Sequence, residues 1–330
     1  MENKMLHDDY DHFINKLVWL IPFSKHRNNF RNILNDIVNT MYKIEYLTDV
    51  NNSTYYEDMI IIDQMDGFSG QLGRYMLGEY IKDHYNKKVK YNLNWYSEFG
   101  LDCDKKEKRE FDLLNCFQDI KIETVTKKEA NLYKRLFYYS DGNINNIYEA
   151  CKLKKNIYLY VFPTLNLFDK EYINTKLDIH KNLYPRLKGN NLEMYNDIIK
   201  HPASVSVHIR RGDIYSHGGF GVFNKNEKNY KEYIFKSIYK MIDLLQPIKP
   251  KFYFFSNDMK WVKNNILKYL NKEVDYIYND YNKNQVYMDI YLLSLAKHMI
   301  FTIGAFSRTA YMFNKNQNII VITADNINLL

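Results

Sequence analysis

Ser204-Val-Ser-Val-His208-Ile-Arg210-Arg211-Gly212-Asp213 is a short apolar run that ends in a cluster of charge. Val205 and Val207 alternate with serines at the period of a strand, and Gly212-Asp213 reads as the turn that stops it. A histidine, two guanidiniums and a carboxylate thus follow one another at the strand's carboxyl end, the edge of an open α/β sheet where ligands bind. An arginine pair there can hold a diphosphate through bidentate, charge-assisted hydrogen bonds. On their own these residues fit a solvated ion-pair cluster better; Arg-Gly-Asp is also an adhesion tripeptide, but nothing else in the chain suggests a surface-displayed protein. The flanking sequence decides between them.

Downstream, Ile214-Tyr-Ser-His217-Gly218-Gly219-Phe-Gly221 forms a loop able to close on a ligand. Ile234, Ile238, Met241, Ile242 and Leu245 share one face of a helix expected over 229–245. Phe252–Phe255 reads as a buried strand ending in Ser256-Asn257-Asp258. Asp258 is placed to cap a helix starting near Met259, and that polar strand end also suits a ribose or a base. Val274–Tyr278, Met299–Thr302 and Ile319–Ile322 are further strands, with a helix over 288–298 and another entered through Gly304-Ala-Phe306-Ser307-Arg308. Regular alternation of β and α implies a parallel sheet covered on both faces.

Upstream, Met59-Ile-Ile-Ile-Asp63 is the first buried strand. It leads through Asp66-Gly67-Phe68-Ser69-Gly70-Gln71-Leu72-Gly73 into a helix to about Tyr85, the first half of a βαβ unit. Amides at such a turn can bind an anion or a sugar hydroxyl, although the turn matches neither a Walker loop nor G-x-G-x-x-G. Lys88–Leu93 and Ile157–Phe162 are expected strands, and 169–200 reads as helical with a break at Pro185. The rest of 120–200 carries little signal. Asp102-Cys-Asp104 lies in a charged run with no strand before it and reads as a solvated loop, not a metal site.

The first part of the chain holds the apolar run Leu17–Phe23, broken at Pro22, then Phe30, Ile33, Leu34, Ile37, Val38 and Met41 at helical spacing. Residues 13–46 fit a peripheral membrane contact, with basic residues on lipid phosphates, or a helix packed on the catalytic body; packing is favoured. The expected organisation is an N-terminal helical extension (1–58), a Rossmann-like domain (59–200) and a C-terminal α/β domain (201–330), divided near His201-Pro202. A net charge of +7 suits an anionic ligand or an anionic membrane surface. The basic residues are dispersed, so no nucleic acid is expected as a partner. Cys103, Cys116 and Cys151 form no C-x-x-C, which points to reduced thiols rather than a disulfide framework or zinc. No apolar run approaches the ~20 residues of a membrane span, and Met1–Asp9 lacks the pattern of a signal peptide, so a cytoplasmic protein is expected.

His208-Ile-Arg-Arg-Gly-Asp213, Phe254-Phe-Ser-Asn-Asp258, Met288-Asp-Ile-Tyr-Leu-Leu-Ser-Leu-Ala-Lys-His298 and Ala305-Phe-Ser307, in this order and spacing, resemble the α-1,2-fucosyltransferases of glycosyltransferase family 11. That family shows a Gly-Gly-Leu-Gly-Asn-Gln-Met turn, and Asp66–Leu72 keeps its Gly67 and Gln71. The resemblance implies a GT-B fold, two Rossmann-like domains facing a cleft. It also implies GDP-β-L-fucose as donor, a glycan acceptor, and inversion with no metal or other cofactor. By position, Arg210 would bind the β-phosphate, supported by Arg211 and His208. Ser307, beside Phe306, would donate to the diphosphate, and Asp258 or Asp280 would meet the guanine or ribose. Ser256 and Asn257 complete the polar strand end. Asp213 and Asp66 both stand as proton acceptors for the acceptor hydroxyl. The chain departs from the family at Ile303 and Gly304, where polar residues are usual, and at Arg308 and Thr309, which replace two tryptophans. These changes leave open another nucleotide-sugar donor, or a non-catalytic relative that binds a nucleotide or glycan.

Overall fold

The computed structural model of the protein describes residues 24–52, 58–101, 108–211, 226–280, 285–302, 304–324 and 326. A long helix, α1 (Ser24–Asn52), comes first. Strand β1 (Met59–Asp63), helix α2 (Phe68–Tyr85), strand β2 (Lys88–Asn92), helix α3 (Lys127–Phe137), strand β3 (Tyr138–Tyr139), helix α4 (Ile144–Leu153) and strand β4 (Ile157–Leu159) follow. They form a parallel sheet in the order β2-β1-β4-β3. Ile60 and Ile62 of β1 enter the core shared with α2, while Met59 and Ile61 pack with Val125, Ala130 and Tyr133 on the opposite face. Burial on both faces explains why β1 reads as an unbroken apolar run.

After short helices at Lys170–Lys176 and Ile179–Leu183 and the longer α5 (Gly189–Lys200), the second sheet begins. Its elements are β5 (Ser204–Ile209), α6 (Glu227–Leu244), β6 (Lys251–Ser256), α7 (Met259–Asn265), β7 (Asp275–Tyr278), α8 (Val286–Leu295), β8 (His298–Phe301), α9 (Ala305–Phe313) and β9 (Val321–Ile322). All pairings are parallel, in the order β7-β6-β5-β8-β9. The expected run of strands and helices is present, and Asp258 caps α7 by accepting from the Trp261 amide at 3.0 Å. Several boundaries differ. β4 stops at Leu159 rather than Phe162, although the Tyr160 amide still donates to the Tyr139 carbonyl at 3.0 Å. The helix expected over 288–298 ends at Leu295, because His298 already starts β8. The last strand shortens to Val321–Ile322. Within the stretch of weak signal lie α3, β3 and α4.

The helices of the two sheets share an apolar core. Phe117 approaches Phe313 at 6.2 Å between ring centroids, and Phe68 approaches Tyr287 at 6.1 Å. The second contact joins the first residue of α2 to the first turn of α8, so turns at the carboxyl edges of both sheets converge on one seam. Gly73 lets α2 come close to the Pro163 carbonyl, which a Cβ there would strike.

Helix α1 packs on α3, Leu34 and Val38 lying against Leu132 and Leu136. Phe30, Ile33, Ile37, Met41 and Ile44 remain exposed along α1. Residues 13–23 lie outside the described residues. No described helix is long and apolar enough to cross a membrane.

Candidate active site

In the C-terminal sheet the chain runs outward from β5 to β6 and β7 on one side, then returns to β8 and β9 on the other. The reversal leaves a crevice between the ends of β5 and β8, the topological switch point where ligands of open sheets bind. His208 stands at that point on β5, 4% exposed, with its Nδ1 2.5 Å from the Ser307 hydroxyl oxygen. Phe306 covers the ring, with centroids 5.0 Å apart. Burial, reinforced by the charge of Arg210, pushes the imidazole down to about 3, so it is neutral at ordinary pH. Ser307 is fully buried, and its hydroxyl is committed to this histidine. Gly304 turns the chain from β8 into α9 at φ 101°, a conformation that favours glycine. Of the replaced tryptophan positions, Arg308 is exposed and Thr309 is buried. Ile303 lies outside the described residues.

Beyond β5 the main chain of the two arginines is gripped by side chains from three elements. The Arg210 amide donates to Thr302 Oγ1 at 3.1 Å, and the Tyr230 hydroxyl donates to the Arg210 carbonyl at 2.5 Å. Asn257 brackets the next residue, accepting from the Arg211 amide at 2.8 Å and donating to its carbonyl at 3.0 Å. All four main-chain polar groups of the pair are therefore bonded to side chains. The two guanidiniums differ in setting. Arg210 is half-buried, whereas Arg211 is buried with its guanidinium 4.1 Å from the centroid of the Trp261 ring. The Trp261 indole donates to Glu227 at 3.1 Å. Burial works against ionisation of Glu227, but that hydrogen bond and the charges of Arg211 and Lys231 hold it below the usual range.

The other residues expected around a donor fall into two groups. Ser256 joins the cluster, its hydroxyl donating to the Ile209 carbonyl at 2.8 Å and accepting from the Asp258 amide at 3.0 Å. Asp280 sits farther out, past the end of β7, exposed and paired with Lys263 at 2.7 Å. Its neighbour Asn279 is buried and donates to Asp289 in the first turn of α8 at 2.8 Å. Asp213 lies outside the described residues, as does the Asp102-x-Asp104 triplet. Among the described residues, no group of three or more His, Cys, Asp or Glu could hold a metal ion.

Asp66, Gly67 and Gln71 lie at the other sheet. Its strand order also reverses, between β1 and β4, and the turn after β1 borders that second switch point. Asp66 adopts φ 67°, rare for a residue other than glycine, and Gly67 caps α2. Gln71 is fully buried. Its Nε2 donates to the Glu110 carbonyl at 2.7 Å and its Oε1 accepts from the Asp112 and Leu113 amides, so its amide holds a loop in place. Asp63, at the end of β1, accepts from Asn92 at 2.8 Å, and burial raises its carboxyl above the usual range.

Sequence alone did not single out Thr302, Tyr230, Trp261 or Arg74. Each grips main chain, or the face of another side chain, across a gap set by tertiary packing. Thr302 was the most accessible, as the polar residue that ends a predicted strand.

Two solved structures share the fold. A fucosyltransferase NodZ from Bradyrhizobium aligns with a TM-score of 0.52 at 12% identity, over 82% of this chain and 96% of that one. A NodZ α-1,6-fucosyltransferase co-crystallised with GDP aligns with a TM-score of 0.50 at 12% identity, over 77% and 92%. Both support a GT-B-type architecture. No curated protein sequence matches the chain. The profile of glycosyl transferase family 11 matches residues 117–328, a span that takes in the clamped arginines, the His208–Ser307 pair and the α8 carboxylate, and the chain belongs to that family.

Proposed function

We propose that this protein is an inverting glycosyltransferase that moves L-fucose from GDP-β-L-fucose to a hydroxyl, galactose O2, of a surface glycan without using a metal. The observation that carries this is the anchored Arg210 at the switch point of the C-terminal sheet of a family 11 chain. The GDP bound by the NodZ enzyme of the same fold supports a guanine nucleotide as donor. Residues 201–330 serve as the donor side and 59–200 as the acceptor side.

In this reaction the bond between the fucose anomeric carbon and the β-phosphate oxygen breaks. The acceptor oxygen bonds to the opposite face of the sugar and loses its proton, and GDP leaves. Negative charge grows on the diphosphate, where a fixed cation stabilises the transition state. Arg210 supplies that cation, and the grip on its main chain means little reorganisation is needed as charge develops. Arg211, stacked against Trp261, adds positive potential. Neutral His208 and Ser307 support the wall behind the nucleotide. Asp66 and Asp213 are the two carboxylates available to take the acceptor proton.

The test is turnover of GDP-fucose with lactose and other galactose-terminated acceptors, with and without chelator. The expected result is chelator-resistant release of GDP coupled to a fucosylated product. Release that vanishes with chelator would end the metal-free mechanism. Bound GDP with turnover of a different nucleotide sugar would reassign the donor.

A further inference from the structure

The carboxyl edge of the N-terminal sheet carries a constellation that donor chemistry leaves unused. Arg74, on α2, is completely buried. Its Nε donates to the Val161 carbonyl at 3.0 Å, its Nη1 to the Met65 carbonyl at 3.0 Å and its Nη2 to Asp66 Oδ2 at 3.0 Å. One guanidinium thereby ties the loop after β1 to the loop after β4, across the switch point of this sheet. It holds two groups at the surface. The first is the Asp66 carboxylate, whose side chain is 47% exposed and bonds Arg74 through one oxygen. The second is the Phe162 ring, 59% exposed although it lies 5.0 Å from the guanidinium carbon. Phe162 meets Tyr160 edge-on, with centroids 5.4 Å apart, and Tyr160 is 6.1 Å from the half-exposed Tyr138 on β3. Three aromatic rings therefore step along the sheet edge beside a fixed carboxylate.

We propose that Phe162 and Asp66 form a pyranose-binding subsite for the acceptor glycan. A pyranose presents a C–H face that packs on an aromatic ring and a rim of hydroxyls that donate to carboxylate oxygens. An exposed flat ring beside a half-exposed carboxylate that bonds Arg74 through one oxygen matches both. Exposed apolar rings clustered at a switch point mark a ligand surface rather than a stray side chain. The row Phe162–Tyr160–Tyr138 continues the aromatic surface along the sheet edge, so the subsite accommodates more than a terminal sugar. The buried guanidinium fixes both groups before a ligand arrives, which limits the ordering cost of binding. That the bound sugar is the acceptor rests on the fucosyl-transfer proposal above; that the surface binds a sugar does not.

The experiment is saturation-transfer NMR on the full chain, with methyl β-galactoside, methyl β-glucoside, methyl α-mannoside and methyl β-N-acetylglucosaminide as probes, alongside calorimetric titration of GDP. The expected result is binding of at least one glycoside by the wild type. Phe162→Ala should weaken that binding about tenfold, Phe162→Tyr should restore it, and Asp66→Asn should weaken it as well. Neither Phe162 variant should change GDP affinity. Failure of all four glycosides to bind, or equal binding by Phe162→Ala, would overturn the subsite while leaving the donor proposal intact if GDP still binds. Sugar binding lost on Phe162→Ala in a protein that does not bind GDP would keep the subsite and overturn the donor proposal.

Discussion

The two switch points obey one topological rule and use arginine in opposite ways. At the C-terminal sheet, Thr302, Tyr230 and Asn257 grip the main chain of Arg210 and Arg211, so arginine is what the scaffold presents. At the N-terminal sheet, Arg74 grips the main chain of Met65 and Val161, so arginine is the scaffold and a carboxylate and a ring are presented. Burial follows the roles: Arg74 is fully buried and Arg210 half-buried. The positive edge suits a diphosphate leaving group, and the acidic, aromatic edge suits a neutral sugar.

The sharpest way to break this comparison is at Arg210. Arg210→Ala should lower kcat by about 10²–10³, the usual effect of losing a preorganised donor to developing charge, with little change in thermal midpoint. Arg211→Ala should act the other way round, reducing stability by about 0.5–2 kcal/mol through loss of the Trp261 contact and reducing turnover less. Steady-state kinetics and calorimetry on both variants decide the matter. Equal rate losses would remove the distinction drawn between the two guanidiniums.

At the other edge the expected damage is to the fold. Arg74→Leu leaves the buried Met65 and Val161 carbonyls unpaired, and each such group costs about 1–3 kcal/mol, so a loss of roughly 3 kcal/mol is expected in urea unfolding. Arg74→Lys should recover only part of it, because an ammonium cannot reproduce the planar fork. A loss under 1 kcal/mol in Arg74→Leu would mean that the two loops hold their positions without the guanidinium.

This contrast also explains what could be read from the amino-acid order. The C-terminal edge was legible because its chemistry is sequential: His208, Arg210 and Arg211 are neighbours on one strand end, and Ser256–Asp258 and Phe306–Ser307 end or follow clear strand patterns. Period-two and buried-run patterns placed nearly every element of the second sheet. The N-terminal edge is assembled from residues 66, 74 and 162, and nothing local in the sequence marks Arg74 as buried. Its place in α2 looks like that of an ordinary solvated arginine. The strand expected over 157–162 hid Phe162 in the same way, since an apolar residue at a strand end reads as core. Gln71 was legible as special, but its burial and its hold on the 110–113 backbone come from a loop that meets it only in three dimensions. Helices α3 and α4 were missed because 120–200 mixes short elements with weak periodicity.

The smallest effect separates the edges by the sign of their response to acid. His208 titrates near 3 in the folded protein and at about 6.5 when unfolded. Between those values the unfolded chain binds a proton that the folded one refuses. Stability from this group is thus complete above pH 6.5 and falls by up to about 1.4 kcal/mol for each pH unit of acidification through the window. Asp63 runs the other way. Its folded value is raised by burial, so the folded state keeps a proton that the unfolded chain releases, and the stability this gives at low pH is lost as pH rises through the folded value. His298, also lowered by burial and by Lys297, adds to the His208 trend. Thermal midpoints taken from pH 7 to pH 5 should therefore fall on acidification. His208→Gln should reduce that slope without abolishing it, because His298 remains. A slope unchanged in His208→Gln would show that the buried imidazole at the C-terminal edge does not govern the acid response.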